Sequence, residues 1–508
     1  MKEEKKDRKQ LFKILGLVIF MLLFVLSGSL IWGIKNFGNI GMDEILFTLN
    51  MSMEGTGSGF ITDYMLKVLV PSLIVLVIAL FVVFHKKKTE RKVWISGKKL
   101  AVAFGIWLVV LVISANASFG VIAFAKNQLS QSHFIEEEYV EPAEAKLEFP
   151  EKKRNLIYIL LESGESSDQD KANGGLFDEN YIPEMTQIAK DNVSFSQSDL
   201  IEGAAVAPAC GWTMAGMVAE FSGLPLKLYE YDDGDTDNSM GDYKFFLPGV
   251  TNLGDILNAN GYHNYYMIGS DARFSGRDNY MKQHGDYEIW DYYTAIEKGK
   301  IPPDYHVWWG YEDRKLYEYA KEELTRLSQE PEPFNFTMLT VDTHHVDGYK
   351  CPLCQDQYDK QYANVWACAS RQLNDFVNWI KLQPFYENTT IVISGDHCSM
   401  DPNFFGDYKY DKHNGELTRK VYNAVINAPI EPVKEKNRKF VTMDMFPTTL
   451  AALGVKIEGD RLALGTNLFS DKETLSEEFG YDVIFEELNK KSKFYDYQLL
   501  YKGKEEDQ

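Results

Sequence analysis

Three long apolar stretches dominate the first 126 residues of the chain. They cover residues 11–34, 65–84 and 100–125, and each is long enough to cross a lipid bilayer as a helix. The first stretch is longer than the apolar core of a signal peptide and has no clear small-residue cleavage site. Pro71 lies near the start of the second stretch, where a membrane helix tolerates proline. We therefore predict a membrane region of three transmembrane helices over residues 1–126.

The charges between these stretches predict how the helices are oriented. The first ten residues and the segment 85–99 are rich in Lys and Arg, whereas residues 35–64 carry four acidic residues and one lysine. The positive-inside rule places both basic segments in the cytoplasm. Three crossings then place the chain after about Lys126 outside the cytoplasm, in a multi-pass protein of the cell membrane. Residues 127–154 are charged and contain two prolines, so we expect an extended extracytoplasmic linker there.

Beyond residue 154, short continuous apolar runs alternate with segments of helical periodicity. The apolar runs cover residues 155–161, 262–268, 334–341, 389–394 and 422–428, and helical segments begin at Thr213 and cover 253–261, 361–381 and 442–454. An unbroken apolar run of this length is typical of a strand buried on both faces of a parallel sheet. The alternation predicts an α/β domain over residues 155–508, with a mainly parallel sheet flanked by helices. We expect the polar segment after Phe469 to be peripheral.

Polar residues that could bind a metal follow the predicted strands. Glu162 ends the first run, and Asp396 and His397 follow the fourth, so all three belong to the edge where open α/β sheets bind ligands. Thr213 opens a helix, and a helix N-terminus is a natural seat for phosphate. Each residue alone has a structural alternative, because Glu162 or Thr213 could simply cap a helix. Together they predict a one-metal site in which the Thr213 hydroxyl attacks phosphorus.

Two further segments supply groups that suit an anionic substrate. The loop after the second run contains Arg277 among small residues, and an arginine in such a loop can bind an oxyanion. Asp271 lies in the same loop and could bind a glycerol hydroxyl or an ammonium group. His344 and His345 follow the third run, where adjacent side chains are expected to point to opposite faces. We therefore expect His344, and not His345, to face the site.

Charge and cysteine content narrow the function further. The chain of 508 residues has a net charge of −21, which argues against nucleic acid as a partner. Three of its five cysteines, Cys351, Cys354 and Cys368, lie close together in the sequence. Outside the cytoplasm disulfides persist, and we expect a Cys354–Cys368 bridge, because a bridge within Cys351-Pro-Leu-Cys354 would be strained and reducible. The other two, Cys210 and Cys398, are more simply explained as small buried residues.

The motifs named so far resemble those of a known family. The stretches NLIYILLES, GWTMAGMVA, DARFSGRD, TVDTHHVDGY and ISGDHCSM are similar to the lipoteichoic acid synthase and phosphoglycerol transferase family, within the alkaline phosphatase/sulfatase superfamily. They look closest to the branch that decorates periplasmic glucans. The resemblance covers residues 155–469, and it implies an alkaline phosphatase/sulfatase-like catalytic domain.

The resemblance also implies a cofactor, a donor and an acceptor. It implies Mn²⁺, with Mg²⁺ possible, and a Thr213-linked glycerophosphate intermediate. The donor would be phosphatidylglycerol in the membrane, and the acceptor an extracytoplasmic glycan or teichoic acid-like polymer. The implied metal ligands are Glu162, Thr213, Asp396 and His397, and the implied phosphate-binding residues are Arg277 and His344.

Several alternatives stay open at this point. The lipoteichoic acid synthases have a His and a Trp where this chain has Ile268 and Ser275, which favours single transfer over polymerisation. A phosphoethanolamine transferase would use the same kind of threonine and metal site. Its Asp-His pair usually continues as Gly-Glu, however, and here Cys398-Ser399 follows. A sulfatase would need a formylglycine motif, which is absent around Thr213. A non-catalytic envelope protein with a vestigial site is a further alternative.

Overall fold

The computed structural model describes residues 2–37, 42, 45, 58–84, 97–227, 245–401, 404–405, 412–413, 416–417 and 419–500. The chain divides into two compact units, one formed by residues 1–42 and 56–123 and the other by residues 43–55 and 124–508. The basic segment 85–96 and most of segment 38–57, on which the predicted orientation depends, lie outside the described residues. The domain boundaries at residues 126 and 154 stay predictions.

The first unit contains the apolar helices that the sequence predicts. Its elements are α1 (Lys2–Phe37), α2 (Ser58–Tyr64), a π-helical turn (Met65–Leu69), α3 (Val70–Phe84) and α4 (Gly97–Phe119). Among the described residues, three spans are long and apolar enough to cross a membrane, namely Leu11–Asn36, Ile61–Val82 and Lys98–Phe119. Their side chains are mostly exposed, as lipid-facing residues would be. The third span is shorter than predicted, because helix α4 stops before Gly120, which has φ +63°.

The elements that follow are, in chain order, α5 (Val121–Gln128), α6 (Phe134–Glu138), β1 (Leu147–Glu148), β2 (Asn155–Leu161), α7 (Pro183–Asp191), α8 (Thr213–Ser222), α9 (Leu253–Ala259), β3 (His263–Ile268), α10 (Arg277–Gln283), β4 (Glu288–Trp290), α11 (Tyr292–Glu297), α12 (Asp313–Leu327), β5 (Phe334–Leu339), α13 (Gln361–Lys381), β6 (Thr389–Gly395), β7 (Lys412–His413), β8 (Glu416–Leu417), β9 (Asn423–Ile426), α14 (Met445–Ala452), β10 (Lys456–Ile457), β11 (Arg461–Leu462), β12 (Gly465–Thr466), α15 (Leu475–Glu478) and α16 (Tyr481–Asn489). Short 3₁₀ turns connect several of them.

Six strands form the central sheet in the order β4-β3-β5-β2-β6-β9. All neighbours are parallel except β6 and β9, which are antiparallel. Leu161 at the end of β2 pairs with Gly395 at the end of β6, and Leu339 of β5 pairs with Ile268 of β3. The residues that follow these four strands therefore lie along one edge, as expected for parallel strands. The mainly parallel sheet is confirmed. Strand β9 lies within the predicted run 422–428, but its antiparallel direction was not predicted.

Helices cover both faces of the sheet, which explains the unbroken apolar runs. Alternate side chains of β2 enter two different cores, with Tyr158 and Leu160 in one and Ile157 and Ile159 in the other. The first core includes residues of α8 and α14, and the second includes residues of α7, α12 and α13. Because neither face meets water, a polar-apolar alternation never develops along the strand.

Two segments that looked polar take part in the fold of this unit. Within residues 127–154, helix α6 buries Phe134 and Ile135, and strand β1 pairs with β10, so the segment is not extended throughout. After Phe469, Ile484, Tyr495 and other residues join the first core, so the expectation of a peripheral tail is wrong. Both segments place a few apolar side chains among many charged ones, which hides their burial in the sequence pattern.

Candidate active site

The ends of β2 and β6 bring Glu162, Asp396 and His397 into one buried group. One ligand atom from each of the three lies within 4.8 Å of the others, and all three side chains are buried. The two loops can approach this closely because glycines face each other. A Cβ on Gly395 would stand 1.8 Å from the carbonyl oxygen of Gly164. Any larger residue at Gly395 would push the two loops apart.

Hydrogen bonds occupy one atom of the Asp396 side chain and one of the His397 side chain, and leave the other atom of each for a ligand. Asp396 Oδ1 accepts bonds of 2.8 Å from the backbone N–H groups of Ser163 and His397. Asp396 Oδ2 is buried without a hydrogen-bond partner and lies 3.6 Å from His397 Nε2. His397 Nδ1 lies 2.9 Å from the carbonyl oxygen of Cys398, which fixes the tautomer and leaves Nε2 as a ligand atom. An orphaned carboxylate oxygen beside such an imidazole fits a divalent cation.

The charges within the group also call for a cation. Burial opposes charge on Glu162, but the adjacent His344 and His397 hold the pKa of Glu162 well below its usual range. Burial and the neighbouring charge of Glu162 raise the pKa of Asp396 to about 8. Burial opposes charge on His397 as well, yet Asp396 and Glu162 raise the pKa of His397 to about 10. Two carboxylates and one imidazole compete here for protons that a bound metal would replace.

Thr213 opens helix α8 beside this group, as predicted. The backbone of Trp212 is extended, and the helix runs from Thr213 to Ser222. Thr213 Oγ1 donates a hydrogen bond of 3.0 Å to Glu162 Oε2 and lies 3.4 Å from His397 Nε2. Thr213 is half-buried, whereas the rest of the helix is buried. The hydroxyl therefore contacts the metal-binding group and is partly accessible to solvent. It also lies at a helix N-terminus, which favours anions.

Two threonines after β5 position Glu162, and neither was predicted from the sequence. Glu162 N–H donates to Thr340 Oγ1 at 3.0 Å, and Thr343 Oγ1 donates to the Glu162 carbonyl oxygen at 2.6 Å. Both bonds restrain the backbone of Glu162 rather than its carboxylate. Thr340 lies at the end of the third apolar run and Thr343 lies next to His344, and this placement was the available signal.

His344 and His345 do not point to opposite sides, contrary to the sequence-based expectation. Their rings stack with centroids 4.6 Å apart, because strand β5 ends at Leu339 and both residues lie in the loop that follows it. His344 Nδ1 lies 2.7 Å from the carbonyl oxygen of His345, which leaves Nε2 available. Burial lowers the pKa of His344 despite the nearby Glu162. The ring of Trp309, which the sequence analysis did not single out, packs on His344 at 4.7 Å.

Arg277 lies near enough to His344 that its charge contributes to the lowered pKa of that imidazole. The guanidinium is buried, and its Nη2 donates to the backbone oxygen of Asp271 at 2.9 Å and to Ser270 Oγ at 3.3 Å. Arg277 Nε is buried without a partner. The carboxylate of Asp271 accepts several hydrogen bonds from Arg273 instead. Asp271 thus contacts Arg277 through its backbone and not through its carboxylate.

None of the five cysteines, all of which the structure describes, takes part in a disulfide, so the expected Cys354–Cys368 bridge is not formed. Cys351 lies between the other two members of its cluster, at 3.7 Å from Cys354 and 3.8 Å from Cys368 between sulfur atoms. Cys210 and Cys398 are buried, in line with the simpler explanation for them.

A family model described as "Sulfatase" matches residues 154–455, which include every residue of the site described above. Among curated proteins, the chain is 30% identical over 397 residues to phosphoglycerol transferase I of Escherichia fergusonii, covering 75% of this chain and 48% of that protein. It is 29% identical over 450 residues to phosphoglycerol transferase I of Xanthomonas campestris, covering 86% of this chain and 59% of that protein. The chain thus spans about half the length of these relatives.

Among solved structures, the lipoteichoic acid synthase LtaP from Listeria monocytogenes is similar to this chain. The sequence identity is 18% and the TM-score is 0.48, over 67% of this chain and 82% of that one.

Proposed function

The chain belongs to the sulfatase family, and on that premise we propose that it is a membrane-anchored phosphotransferase. It moves glycerol phosphate from phosphatidylglycerol to an extracytoplasmic glycan or teichoic acid-like polymer. The observation that carries the proposal is the Thr213 hydroxyl, which lies 3.0 Å from Glu162 and 3.4 Å from His397 at the start of a helix. A sulfate-ester hydrolase of this family would instead need a formylglycine precursor at that position.

Glu162, Asp396, His397 and Thr213 would hold the metal, with Mn²⁺ suited to their mixture of oxygen and imidazole ligands. When bound, the metal lowers the pKa of a ligating hydroxyl and stabilises charge on phosphoryl oxygens. Glu162 accepts the hydrogen bond of the Thr213 hydroxyl and so fixes its direction. The N-terminus of α8 and the Arg277 guanidinium face the phosphate, and the unpaired Arg277 Nε supplies one donor.

The transfer has two steps. In the first, the Thr213 oxygen bonds to phosphorus while the bond from phosphorus to the diacylglycerol oxygen breaks, and the Thr213 proton passes to that oxygen. In the second, an acceptor hydroxyl attacks phosphorus, the Thr213 oxygen leaves, and the acceptor proton returns to Thr213. His344 is suited to carry these protons through Nε2, because its Nδ1 is bonded to the His345 carbonyl and burial keeps the ring neutral.

Mass spectrometry tests the covalent intermediate. The full chain in detergent with Mn²⁺ and phosphatidylglycerol, without acceptor, should gain one glycerophosphate on the peptide containing Thr213. Thr213→Val keeps the shape of the side chain but lacks the hydroxyl, so it should gain none, and Thr213→Ser should regain the adduct. An adduct that persists in Thr213→Val would disprove the nucleophile, and bound Mn²⁺ without any turnover would favour a non-catalytic protein.

A further inference from the structure

A cluster of three thiols lies outside the candidate active site. The sulfur atoms of Cys351, Cys354 and Cys368 lie within 4.8 Å of one another. Cys351 Sγ is 3.7 Å from Cys354 Sγ and 3.8 Å from Cys368 Sγ. These separations are well beyond a disulfide bond of about 2 Å. They match the sulfur–sulfur edge of a tetrahedral zinc centre, roughly 3.8 Å for Zn–S bonds of about 2.3 Å.

The first two thiols belong to a tight turn. Pro352 and Leu353 form the turn, and the Cys354 N–H donates to the Cys351 carbonyl oxygen at 3.0 Å. Helix α13 begins only at Gln361, so the pair does not open a helix as the reactive thiols of many redox proteins do. This local structure favours ligation over dithiol chemistry.

Gln372 contacts the sulfur atoms of Cys351 and Cys368. Its Nε2 lies 3.5 Å from Cys368 Sγ and 3.9 Å from Cys351 Sγ, one helical turn after Cys368 on α13. An amide that donates to two sulfur atoms stabilises thiolate charge and orients the ligands, which is the usual role of groups around a metal centre. Cys351 and Cys368 are buried, whereas Cys354 is partly exposed, so a cation and water can enter beside Cys354.

We propose that Cys351, Cys354 and Cys368 bind Zn²⁺, with water in the fourth position. Each thiol releases its proton to solvent as its bond to the metal forms, and no electron transfer is involved. Sulfur ligands select this thiophilic ion, whereas the oxygen-rich group at Glu162 suits Mn²⁺ or Mg²⁺. The two sites therefore differ in the metal they prefer.

Zinc at this position would hold the segment that carries His344 against helix α13. The Tyr349 N–H donates to the Asp342 carbonyl oxygen at 2.6 Å, which closes residues 342–349 into a loop directly before Cys351. The bond from Cys351 through the metal to Cys368 then ties that loop to helix α13. The site is structural in this proposal, since none of its sulfur atoms needs to contact substrate.

Cobalt substitution tests the site without relying on activity. The full chain in detergent is reduced, stripped of metal and loaded with Co²⁺, in a Glu162→Gln/Asp396→Asn background that removes the oxygen-rich site. Thiolate ligands give Co²⁺ a near-ultraviolet charge-transfer absorption that oxygen ligands do not give. We expect this absorption for one Co²⁺ per chain, with displacement by Zn²⁺. Gln372→Leu should weaken Zn²⁺ binding by roughly 10–100-fold, the scale for groups that orient ligands.

Matched cysteine variants give the control. Cys368→Ser should lose the absorption, whereas Cys210→Ser, which changes a buried cysteine outside the cluster, should keep it. Should Cys368→Ser fail to fold, Zn²⁺ should still slow alkylation of the three clustered thiols in the unmodified chain, and a chelator should reverse the effect. The proposal is overturned if the reduced chain shows no charge-transfer band, or if a disulfide within the cluster persists at saturating Zn²⁺.

Discussion

A Cβ atom on Gly216 would stand 2.1 Å from the carbonyl oxygen of Asp396. Helix α8 therefore rests directly on the backbone of the loop that presents Asp396 and His397. Thr213 lies one turn before Gly216, so this contact sets the distance between the Thr213 hydroxyl and the metal-binding group. Glycine is therefore needed at position 216 both for the packing of helix α8 and for the geometry of the site.

Gly216→Ala should destabilise the protein, although alanine is the better helix former. In open space the exchange would stabilise the helix by about 0.5–1 kcal/mol. Here the added methyl group meets backbone, and overpacking of this kind costs typically about 1–3 kcal/mol. Thermal unfolding in detergent should show a lower midpoint, and Mn²⁺ affinity should fall as α8 moves away from Asp396. Ala219→Gly, in the same buried helix, controls for helix propensity. A more stable Gly216→Ala would contradict the contact.

Glu162→Gln and Asp396→Asn should each lose the metal and abolish turnover while the chain still folds, because the two large cores do not depend on one ion. Metal analysis and circular dichroism on the purified variants check this. Glu220→Gln is the matched control, since Glu220 is also buried but bonds to Tyr158 and Ser394 instead. We expect this control to keep its metal. An active, metal-free Glu162→Gln enzyme would refute the assignment.

Glu220 should make the folded chain less stable as the pH rises. Burial, with a smaller contribution from Asp396, raises the pKa of Glu220 from its usual value of 4.5 to about 8. Between these values the folded chain holds a proton that the unfolded chain has lost, so the free energy of unfolding falls with increasing pH. The loss is at most a few kcal/mol. Unfolding midpoints from pH 5 to 8 should decline more steeply for the wild type than for Glu220→Gln, and equal slopes would count against the raised pKa.

The sequence predicted the strands that are buried on both faces of the sheet, because such strands appear as continuous apolar runs. Continuous apolar runs located strands β2, β3, β5, β6 and β9, and the parallel order of the first four follows because helices alternate with them. The same logic placed Glu162 and Asp396 at one edge, where the structure brings them together with His397.

What escaped prediction depends on contacts between residues far apart in the chain. Thr340 and Thr343 matter through bonds to the backbone of Glu162, some 180 residues earlier. The pairing of Asp271 with Arg273 and the stacking of His344 on His345 depend on loop geometry that no periodicity describes. Strand β4 has only three residues, Glu288–Trp290, too few for a pattern to appear.

Arg277→Ala and His344→Ala should each reduce the release of diacylglycerol from phosphatidylglycerol by roughly a hundredfold or more, the scale for losing a contact to the transition state. The loss should fall mainly on kcat, because both groups act on charge and protons during transfer. Arg273→Ala is the control, as this arginine of the same loop pairs with Asp271, and its effect should be much smaller. Equal losses in Arg273→Ala and Arg277→Ala would show that the loop as a whole, and not the Arg277 guanidinium, is needed.

The donor head group separates the phosphoglycerol proposal from a phosphoethanolamine transferase. An ammonium group calls for a carboxylate or an aromatic cage to face it. Asp271 contacts Arg277 through its backbone oxygen, and its carboxylate already accepts bonds from Arg273. A glycerol hydroxyl needs only a hydrogen-bonding partner and no compensating charge. Phosphatidylglycerol should therefore be the better donor when diacylglycerol release is compared for the two lipids in the same micelles. If phosphatidylethanolamine is preferred instead, the phosphoglycerol assignment is wrong even with every metal ligand correct.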